Sequence, residues 1–105
     1  MRTIRLKPKV RIDLTAAKAW YDEQRDGLGR EFVLDFENAL GLINRMPSRF
    51  REVKQGYRRA LLRRFPYVVF FRYDESEIVV IGVYHAKRDP KVWSADLGSD
   101  ETNDE

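Results

Sequence analysis

One histidine and several basic residues are the side chains in this sequence that could carry out acid–base chemistry. Cleavage of RNA by its own 2′-hydroxyl needs a base for that hydroxyl, an acid for the leaving oxygen and cations for the charge at phosphorus. His85 could be the acid or the base, because imidazole titrates near neutral pH. The cations could come from Lys87, Arg88, Arg58, Arg63 and Arg64. These groups could converge at one end of a sheet if the strand ending at His85 lies beside the strand with the arginines.

The same residues also have purely structural interpretations. A single histidine at a strand end, followed by an Asp-Pro pair, more often stabilises a turn. Arg88 could form an ion pair with Asp89 or with a carboxylate near the C-terminus. Successive residues of a strand point to opposite faces, so only one member of each pair, Arg58–Arg59 and Arg63–Arg64, can serve a given site.

Other kinds of active site lack their residues. The sequence has no cysteine, which excludes a disulfide framework and a thiolate metal site. With one histidine and no helix that carries ligand-spaced carboxylates, we expect no metal site. The glycines do not cluster into a phosphate-binding loop, and the serines lie in no nucleophile motif. We therefore expect no metal and no other cofactor.

The charges are distributed unevenly along the chain. The net charge is only +3, but the middle of the chain is strongly basic and its end is acidic. The basic residues of the middle are Arg45, Arg49, Arg51, Lys54, Arg58, Arg59, Arg63, Arg64 and Arg72. Because arginine offers a rigid bidentate fork, this composition favours contact with phosphate or with a carboxylate-rich partner. A solvated face of a sheet would have the same composition, and both alternatives remain open.

Hydrophobic periodicity predicts the elements that position these groups. Apolar residues of 28–46 recur every three or four positions, which indicates an amphipathic helix ended by Pro47. A shorter helix is expected over about 13–24, packed through Trp20 among others, so that the two form a helical hairpin. Pro8 follows the first of the predicted strands and indicates an edge position. The strands are expected at residues 3–7, 57–64, 67–73 and 77–84, with 48–56 as a connection.

Both sides of the last two strands are apolar, so each face of the sheet needs a cover. Residues 74–76 join these strands as a short hairpin loop. The helical hairpin can cover only one face. The other face must meet the C-terminal segment, a second copy of the chain or another protein. We expect one domain over residues 1–93, followed by an acidic, disordered tail over residues 94–105.

The sequence also bears on the compartment. No apolar run is long enough to cross a bilayer, and no signal-peptide pattern opens the sequence. Together with the absence of cysteine, this predicts a cytoplasmic protein without membrane contact.

Three segments give the chain a resemblance to a known family. They are residues 20–32 (WYDEQRDGLGREF), residues 59–67 (RALLRRFPY) and residues 83–90 (VYHAKRDP) with Trp93. In this order they resemble the RelE/ParE superfamily of bacterial toxins from type II toxin–antitoxin systems. The resemblance implies an α+β fold: a small antiparallel sheet of about four strands with an N-terminal helical hairpin on one face. It also implies a cognate antitoxin whose C-terminal segment wraps over the toxin.

The superfamily divides by target, and the motifs of this chain match its branches unequally. RelE-like members cut mRNA on the ribosome, and ParE-like members block DNA gyrase. By resemblance, Lys87 and Arg88 match basic residues of the nuclease branch, and His85 matches a histidine that some nucleases carry. Tyr67 stands where nucleases have an arginine. Trp93 lies near the position of a C-terminal tyrosine and cannot replace it, because its indole N–H is only a donor.

The resemblance therefore favours a ParE-like toxin that binds a target such as DNA gyrase. The alternative is a RelE-like, ribosome-dependent mRNA endoribonuclease that uses His85, Lys87 and Arg88. A homodimer within a toxin–antitoxin complex is a further arrangement that the resemblance allows. The residues expected to bind the target or RNA are Arg58, Arg59, Arg63, Arg64, Tyr67 and Trp93.

Overall fold

The computed structural model describes the backbone of residues 2–102 and the side chains of residues 2–100. The elements follow in the order β1 (Thr3–Leu6), α1 (Pro8–Gln24), α2 (Leu28–Arg45), a 3₁₀ turn (Pro47–Arg49), β2 (Arg51–Lys54), β3 (Tyr57–Leu61), β4 (Tyr67–Tyr73), β5 (Glu77–His85) and α3 (Pro90–Thr102). The α1–α2 hairpin packs on one face of the sheet and α3 on the other. The predicted α+β fold is confirmed.

The sheet differs from the prediction in one strand and in one pairing. The described residues form a five-stranded sheet in the order β1-β5-β4-β3-β2, whereas about four strands were expected. It is mixed and not purely antiparallel, because β1 runs parallel to β5. The additional strand is β2, which lies in the predicted connection 48–56 and pairs with β3 at the sheet edge. Its four residues are mostly charged and carry no alternating apolar pattern, so periodicity could not reveal it.

Pro8 marks the start of α1 as well as the end of β1. The helix was expected from about residue 13, but it begins at Pro8. Proline is favoured in the first helical turn, because the N–H that it lacks has no partner there. Lys7 still donates its N–H to the Val80 carbonyl at 3.1 Å, so the chain passes directly from strand to helix. As predicted, β1 lies at an edge of the sheet.

The helical hairpin covers the sheet through the predicted apolar stripe of α2. Phe32 and Ile43 are fully buried against the strands. The two helices approach closely at Gly29, where an added Cβ would lie 2.5 Å from the Lys18 carbonyl oxygen. Trp20 was expected to pack in this interface, but 56% of it is exposed.

The β4–β5 hairpin contains a bulge that decides which residues face which side. The predicted loop is confirmed: the Asp74 carboxylate accepts N–H bonds from Ser76 (2.8 Å) and Glu77 (2.9 Å). Pairing with β4 shifts register between Val80 and Gly82, so the residue between them is extra and the alternation of β5 reverses. After the bulge, Val83 joins the core under the helical hairpin and Tyr84 joins the core under α3. His85 consequently lies on the helical-hairpin side.

The C-terminal segment covers the second face, which selects one of the three covers considered above. Residues 94–102 belong to α3, so the predicted disordered tail is corrected for that part. Residues 103–105 of the predicted tail lie outside the described residues. Leu97 is almost fully buried against β4 and β5, and the Trp93 ring stacks on the Phe70 ring with centroids 4.6 Å apart. None of the described helices is long and apolar enough to span a bilayer.

Candidate target-binding surfaces

His85 lies beside Tyr67 at one end of the central strands. The two residues are paired across β4 and β5, and their rings meet edge to face with centroids 5.3 Å apart. The N–H of Lys87 donates to His85 Nδ1 at 3.1 Å. In the neutral ring the proton therefore sits on Nε2. In this arrangement Nε2 is a donor and Nδ1 is occupied by the Lys87 N–H, so neither ring nitrogen is free to take a proton from a substrate.

A surface groove runs between α1 and this end of the sheet. Its volume is about 290 Å³, and its walls include Asp13, Tyr67, Tyr84, His85 and Arg88. Burial raises the pKa of Tyr67. Burial, together with a hydrogen bond to Asp96, also raises the pKa of Tyr84. Both phenols are thus protonated at neutral pH, and neither can serve as a base.

The arginine pair of the β3–β4 loop points to α2 and not to this groove. The buried carboxylate of Asp35 accepts N–H bonds from Arg63 (3.3 Å), Arg64 (2.8 Å) and Phe65 (3.0 Å), which fixes the loop. The Arg64 guanidinium then binds Glu31 of α2 at 2.8 Å. Arg63 lines a small cavity beside α2. Neither arginine joins His85, and the role of Asp35 was not foreseen from the sequence.

Arg58 is also remote from His85 and is engaged by the backbone. Its guanidinium donates to the carbonyls of Phe50 (2.7 Å) and Ser48 (3.3 Å) and approaches Glu52 at 3.5 Å. Arg58 lies in β3 and pairs with Phe71 of β4, which is four residues beyond Tyr67. His85 lies in β5, the strand that flanks β4 on its opposite edge. This separation is on the order of 15 Å. Arg58 thus secures β2 and the preceding 3₁₀ turn.

The other face of the sheet has a region that α3 leaves open. We call it the open sheet strip and define it by Arg51, Arg59, Leu61, Val68 and Trp93. Arg51 and Arg59 are cross-strand partners, so both point to the same side. Neither has an ion pair or a side-chain hydrogen bond within the described residues, and Leu61 is 60% exposed. The strip therefore combines uncompensated positive charge with apolar surface.

Only part of this strip was predicted. Arg59 and Trp93 were expected to bind the target, and the strip contains both. Arg51 was noted only as part of the basic middle of the chain, because the strand that pairs it with Arg59 was not predicted. The strip and the His85 groove lie on opposite faces of the sheet, since the β5 bulge turns His85 toward the helical hairpin.

A buried carboxylate fastens α3 beside the open sheet strip. Asp100, 5% exposed, accepts hydrogen bonds from Tyr57 (2.5 Å) and Arg72 (2.8 Å) and lies 2.9 Å from Lys7 Nζ. Burial alone would raise the pKa of Asp100, but these partners outweigh it and lower the pKa to about 2. One helical turn earlier, Asp96 accepts from Tyr84. This face thus holds an acidic helix through paired carboxylates.

Within the described part of the chain, no group of three His, Cys, Asp or Glu residues is placed to hold a metal ion.

The architecture and the basic strands are those of the RelE/ParE class of small toxins. The family model described as "ParE toxin of type II toxin-antitoxin system, parDE" matches residues 4–90. The chain therefore belongs to the ParE toxin family of type II toxin–antitoxin systems.

Individual relatives agree with this assignment. Toxin ParE2 of Mycobacterium tuberculosis (strain CDC 1551 / Oshkosh) is 28% identical over 97 residues, which cover 91% of this chain and 92% of the relative. Toxin ParE2 of the strain ATCC 25618 / H37Rv has the same identity and coverage. A solved structure titled "Chromosomal ParDE TA system from P. aeruginosa" superposes with a TM-score of 0.72, at 19% identity, over 83% of this chain and 98% of that chain. At that identity the structural likeness bears on the fold.

Proposed function

We propose that this protein is a ParE-like toxin that acts in the cytoplasm, inhibits growth by binding a protein target such as DNA gyrase, and is neutralised by its cognate antitoxin. The observation that carries the proposal is the open sheet strip. Arginines without an ion pair in the described residues, beside the exposed Leu61 and the partly buried Trp93, are typical of a protein-docking surface. ParE-like inhibition requires such a surface and no catalytic group.

The geometry around His85 supports binding over catalysis. RNA cleavage needs a base, an acid and several cations at one phosphate. Arg58, Arg63 and Arg64 are directed elsewhere. His85 presents a donor nitrogen, and the neighbouring phenols are protonated. The groove therefore lacks a positioned base.

The open sheet strip also suits the antitoxin. Its arginines attract carboxylates, and its apolar residues can pack against an amphipathic segment. On the same face, the chain already binds its own acidic helix through Asp96 and Asp100. An acidic segment of an antitoxin would use the same chemistry on the uncovered half of the face.

A ribosome-dependent mRNA endoribonuclease is the second candidate. One observation favours it: His85, Tyr67 and Arg88 lie around one groove, and Lys87 follows His85 in the adjoining turn. In that case His85, protonated on both ring nitrogens after release of the Lys87 N–H bond to Nδ1, would be the acid for the leaving oxygen. The base would have to come from outside the described side chains, such as the ribosome.

Pulse-labelling of DNA and protein synthesis just after induction separates the two candidates. An early fall in DNA synthesis with translation spared supports the target-binding proposal, and an early fall in translation supports the nuclease. A supercoiling assay with purified gyrase and toxin then tests the target directly.

We expect Arg59→Glu and Leu61→Glu to abolish toxicity and His85→Ala to leave it intact. Arg30→Glu, at an exposed position of α2, is the matched charge control.

Antitoxin neutralisation needs a separate experiment. Co-expression of the adjacent small reading frame should restore growth, and the two proteins should co-purify. We expect Arg59→Glu to weaken this co-purification more than tenfold, since it reverses a charge at the centre of the strip. Growth that is not restored by the neighbouring frame would contradict the proposed neutralisation.

A further inference from the structure

A small cavity lies between α2 and the end of β3. Its volume is about 20 Å³, which is room for one water-sized or methyl-sized group. The buried residues Ala39 and Ala60 line it together with Leu42 and Leu61, which are 42% and 60% exposed. The cavity therefore has apolar walls and opens to the surface between two exposed leucines.

The edge of β3 is bare beside this cavity. β2 pairs with β3 only as far as Arg59, the partner of Arg51. β3 continues to Leu61 and pairs over this length with β4 on its other edge. On the β2 side, no described strand pairs with Ala60 or Leu61. The end of β3 thus has the open sheet strip on one face and the cavity on the other.

The surface around the cavity is basic. Arg63 lines the cavity, and Arg49 contacts Met46, whose N–H donates to the carbonyl of Leu42. Neither arginine forms an ion pair within the described residues. The carboxylate of Asp35 also lies in the wall, but it is buried and accepts three N–H bonds of the β3–β4 loop. The mouth of the cavity therefore combines apolar surface with positive charge, as the open sheet strip does.

We propose that this cavity receives an apolar side chain from the acidic segment of the antitoxin, which lies on the open sheet strip and passes around the bare edge of β3. The inference rests on the proposed neutralisation and gives that partner a second contact. Carboxylates of the segment pair with Arg59 on one face of the sheet and with Arg63 on the other. The tip of an aliphatic side chain between them enters the cavity, and such a buried anchor is typical of a binding hot spot.

The position of the cavity favours an extended segment over a folded partner. The cavity belongs to the helical-hairpin side, since Ala39 and Ala60 are part of that core, whereas the strip lies on the opposite face. An extended chain rises about 3.3 Å per residue, so a few residues are enough to turn around one strand. A folded surface that rests on one face of the sheet does not reach the other. A folded target such as gyrase would therefore occupy the strip alone.

Titration calorimetry with the purified product of the adjacent small reading frame tests the proposal. Leu42→Asp and Arg63→Glu should each weaken antitoxin binding about tenfold, as expected for hot-spot positions. Leu34→Asp, also exposed on α2 but outside the cavity wall, is the matched control for the first variant. Arg30→Glu, at an exposed position of α2, is the control for the second. Both controls should bind like the wild type, and circular dichroism checks that each variant is folded.

Filling the cavity from the inside gives the sharper test. Ala39→Val adds two methyl groups to a wall residue that is only 7% exposed, so the outer surface and its charges stay the same. The antitoxin affinity should fall about fivefold, because the anchor side chain loses its space. The melting temperature should be unchanged or higher, and inhibition of gyrase supercoiling should be unchanged.

Three outcomes would overturn the proposal. If Arg59→Glu weakens antitoxin binding but the three cavity variants do not, the cavity is not used and the proposed neutralisation stands. If the cavity variants keep their antitoxin affinity but lose the inhibition of supercoiling, the cavity belongs to the target. If the wild type itself does not bind the antitoxin, the proposed neutralisation is wrong and the inference is wrong with it.

Discussion

Replacing Asp100 by asparagine tests how α3 is held on the sheet. The change keeps the size of the side chain but removes the carboxylate that Tyr57, Arg72 and Lys7 contact at 2.5–2.9 Å. A pKa lowered from the ordinary 3.8 to about 2 corresponds to about 2 kcal/mol of folding free energy at neutral pH. We therefore expect Asp100→Asn to reduce the free energy of unfolding by about 2–3 kcal/mol.

The pH dependence distinguishes this ion-pair contribution from a packing defect. The pKa of Asp100 is lower in the folded chain than in the unfolded chain. Its contribution is therefore complete above about pH 4 and is lost as the pH falls from about 4 to about 2. At pH 3 about half of the difference between wild type and Asp100→Asn should remain. A packing defect would give the same difference at pH 7 and pH 3.

Urea unfolding followed by circular dichroism at both pH values measures the difference. Asp26→Asn is the control, because Asp26 is exposed and has no side-chain partner within the described residues. It should change the free energy of unfolding by less than about 0.5 kcal/mol. A free energy of unfolding for Asp100→Asn within about 0.5 kcal/mol of the wild type at pH 7, the scale of an ordinary surface change, would contradict the ion-pair contribution. A difference from the wild type that is as large at pH 3 as at pH 7 would also contradict it.

Four further substitutions test how individual residues are packed or hydrogen-bonded. Gly82→Ala should destabilise the chain by about 1–3 kcal/mol in urea unfolding, because the added Cβ would lie 2.5 Å from the Tyr84 ring. Gly41→Ala should instead stabilise the chain by about 0.5–1 kcal/mol, because an added Cβ there would have nothing within 4 Å. Asp35→Asn should cost about 2 kcal/mol in thermal unfolding, since a buried carboxylate accepts three backbone N–H bonds. Leu97→Ala should cost about 2–5 kcal/mol and raise the amide exchange rates of α3. A wild-type rate would show that α3 is held by its ion pairs alone.

The sequence predicted those elements whose signal is local. The stripe of α2 and the loop after Tyr73 needed only residues close in sequence, and both are found as expected. The helix α3 was missed because its segment lacks an amphipathic pattern. It is stabilised by residues far away in the chain, including Lys7, Tyr57 and Arg72. Composition alone favoured disorder there, since the partners of the acidic residues could not be identified before the fold was known.

The candidate site was predicted in its residue types but not in its arrangement. Strand alternation correctly separated Arg58 from Arg59, and the two face opposite sides of the sheet. The bulge in β5 could not be read from its uniformly apolar sequence. It moves His85 to the face opposite Arg59 and Trp93, whereas Arg58, on the same face as His85, is separated from it by a distance on the order of 15 Å. Whether the chain is toxic through gyrase or through mRNA stays a prediction.

The charges of β2 and β3 are separated by face, which yields a last prediction. On the helical-hairpin side, Glu52 pairs across the strands with Arg58. On the other side, Arg51 opposes Arg59 without an acidic neighbour in the described residues. Like charges directly opposite each other are unfavourable by about 0.2–1 kcal/mol. Arg59→Glu converts this repulsion into an attraction, and it should therefore raise the free energy of unfolding by about 0.5 kcal/mol.

The same substitution should abolish toxicity and weaken binding of the antitoxin, because it reverses a positive charge in the open sheet strip. Urea unfolding and growth assays on Arg59→Glu, with Arg59→Ala as the variant that only deletes the charge, measure both effects. If the arginine pair served only the stability of the fold, Arg59→Glu would lower the free energy of unfolding or leave it unchanged. A more stable but inactive protein would mean that the arginine pair is kept at a cost in stability because a partner uses it. If Arg59→Glu is less stable than Arg59→Ala, the arginines have partners in the fold, and the strip is not a docking surface.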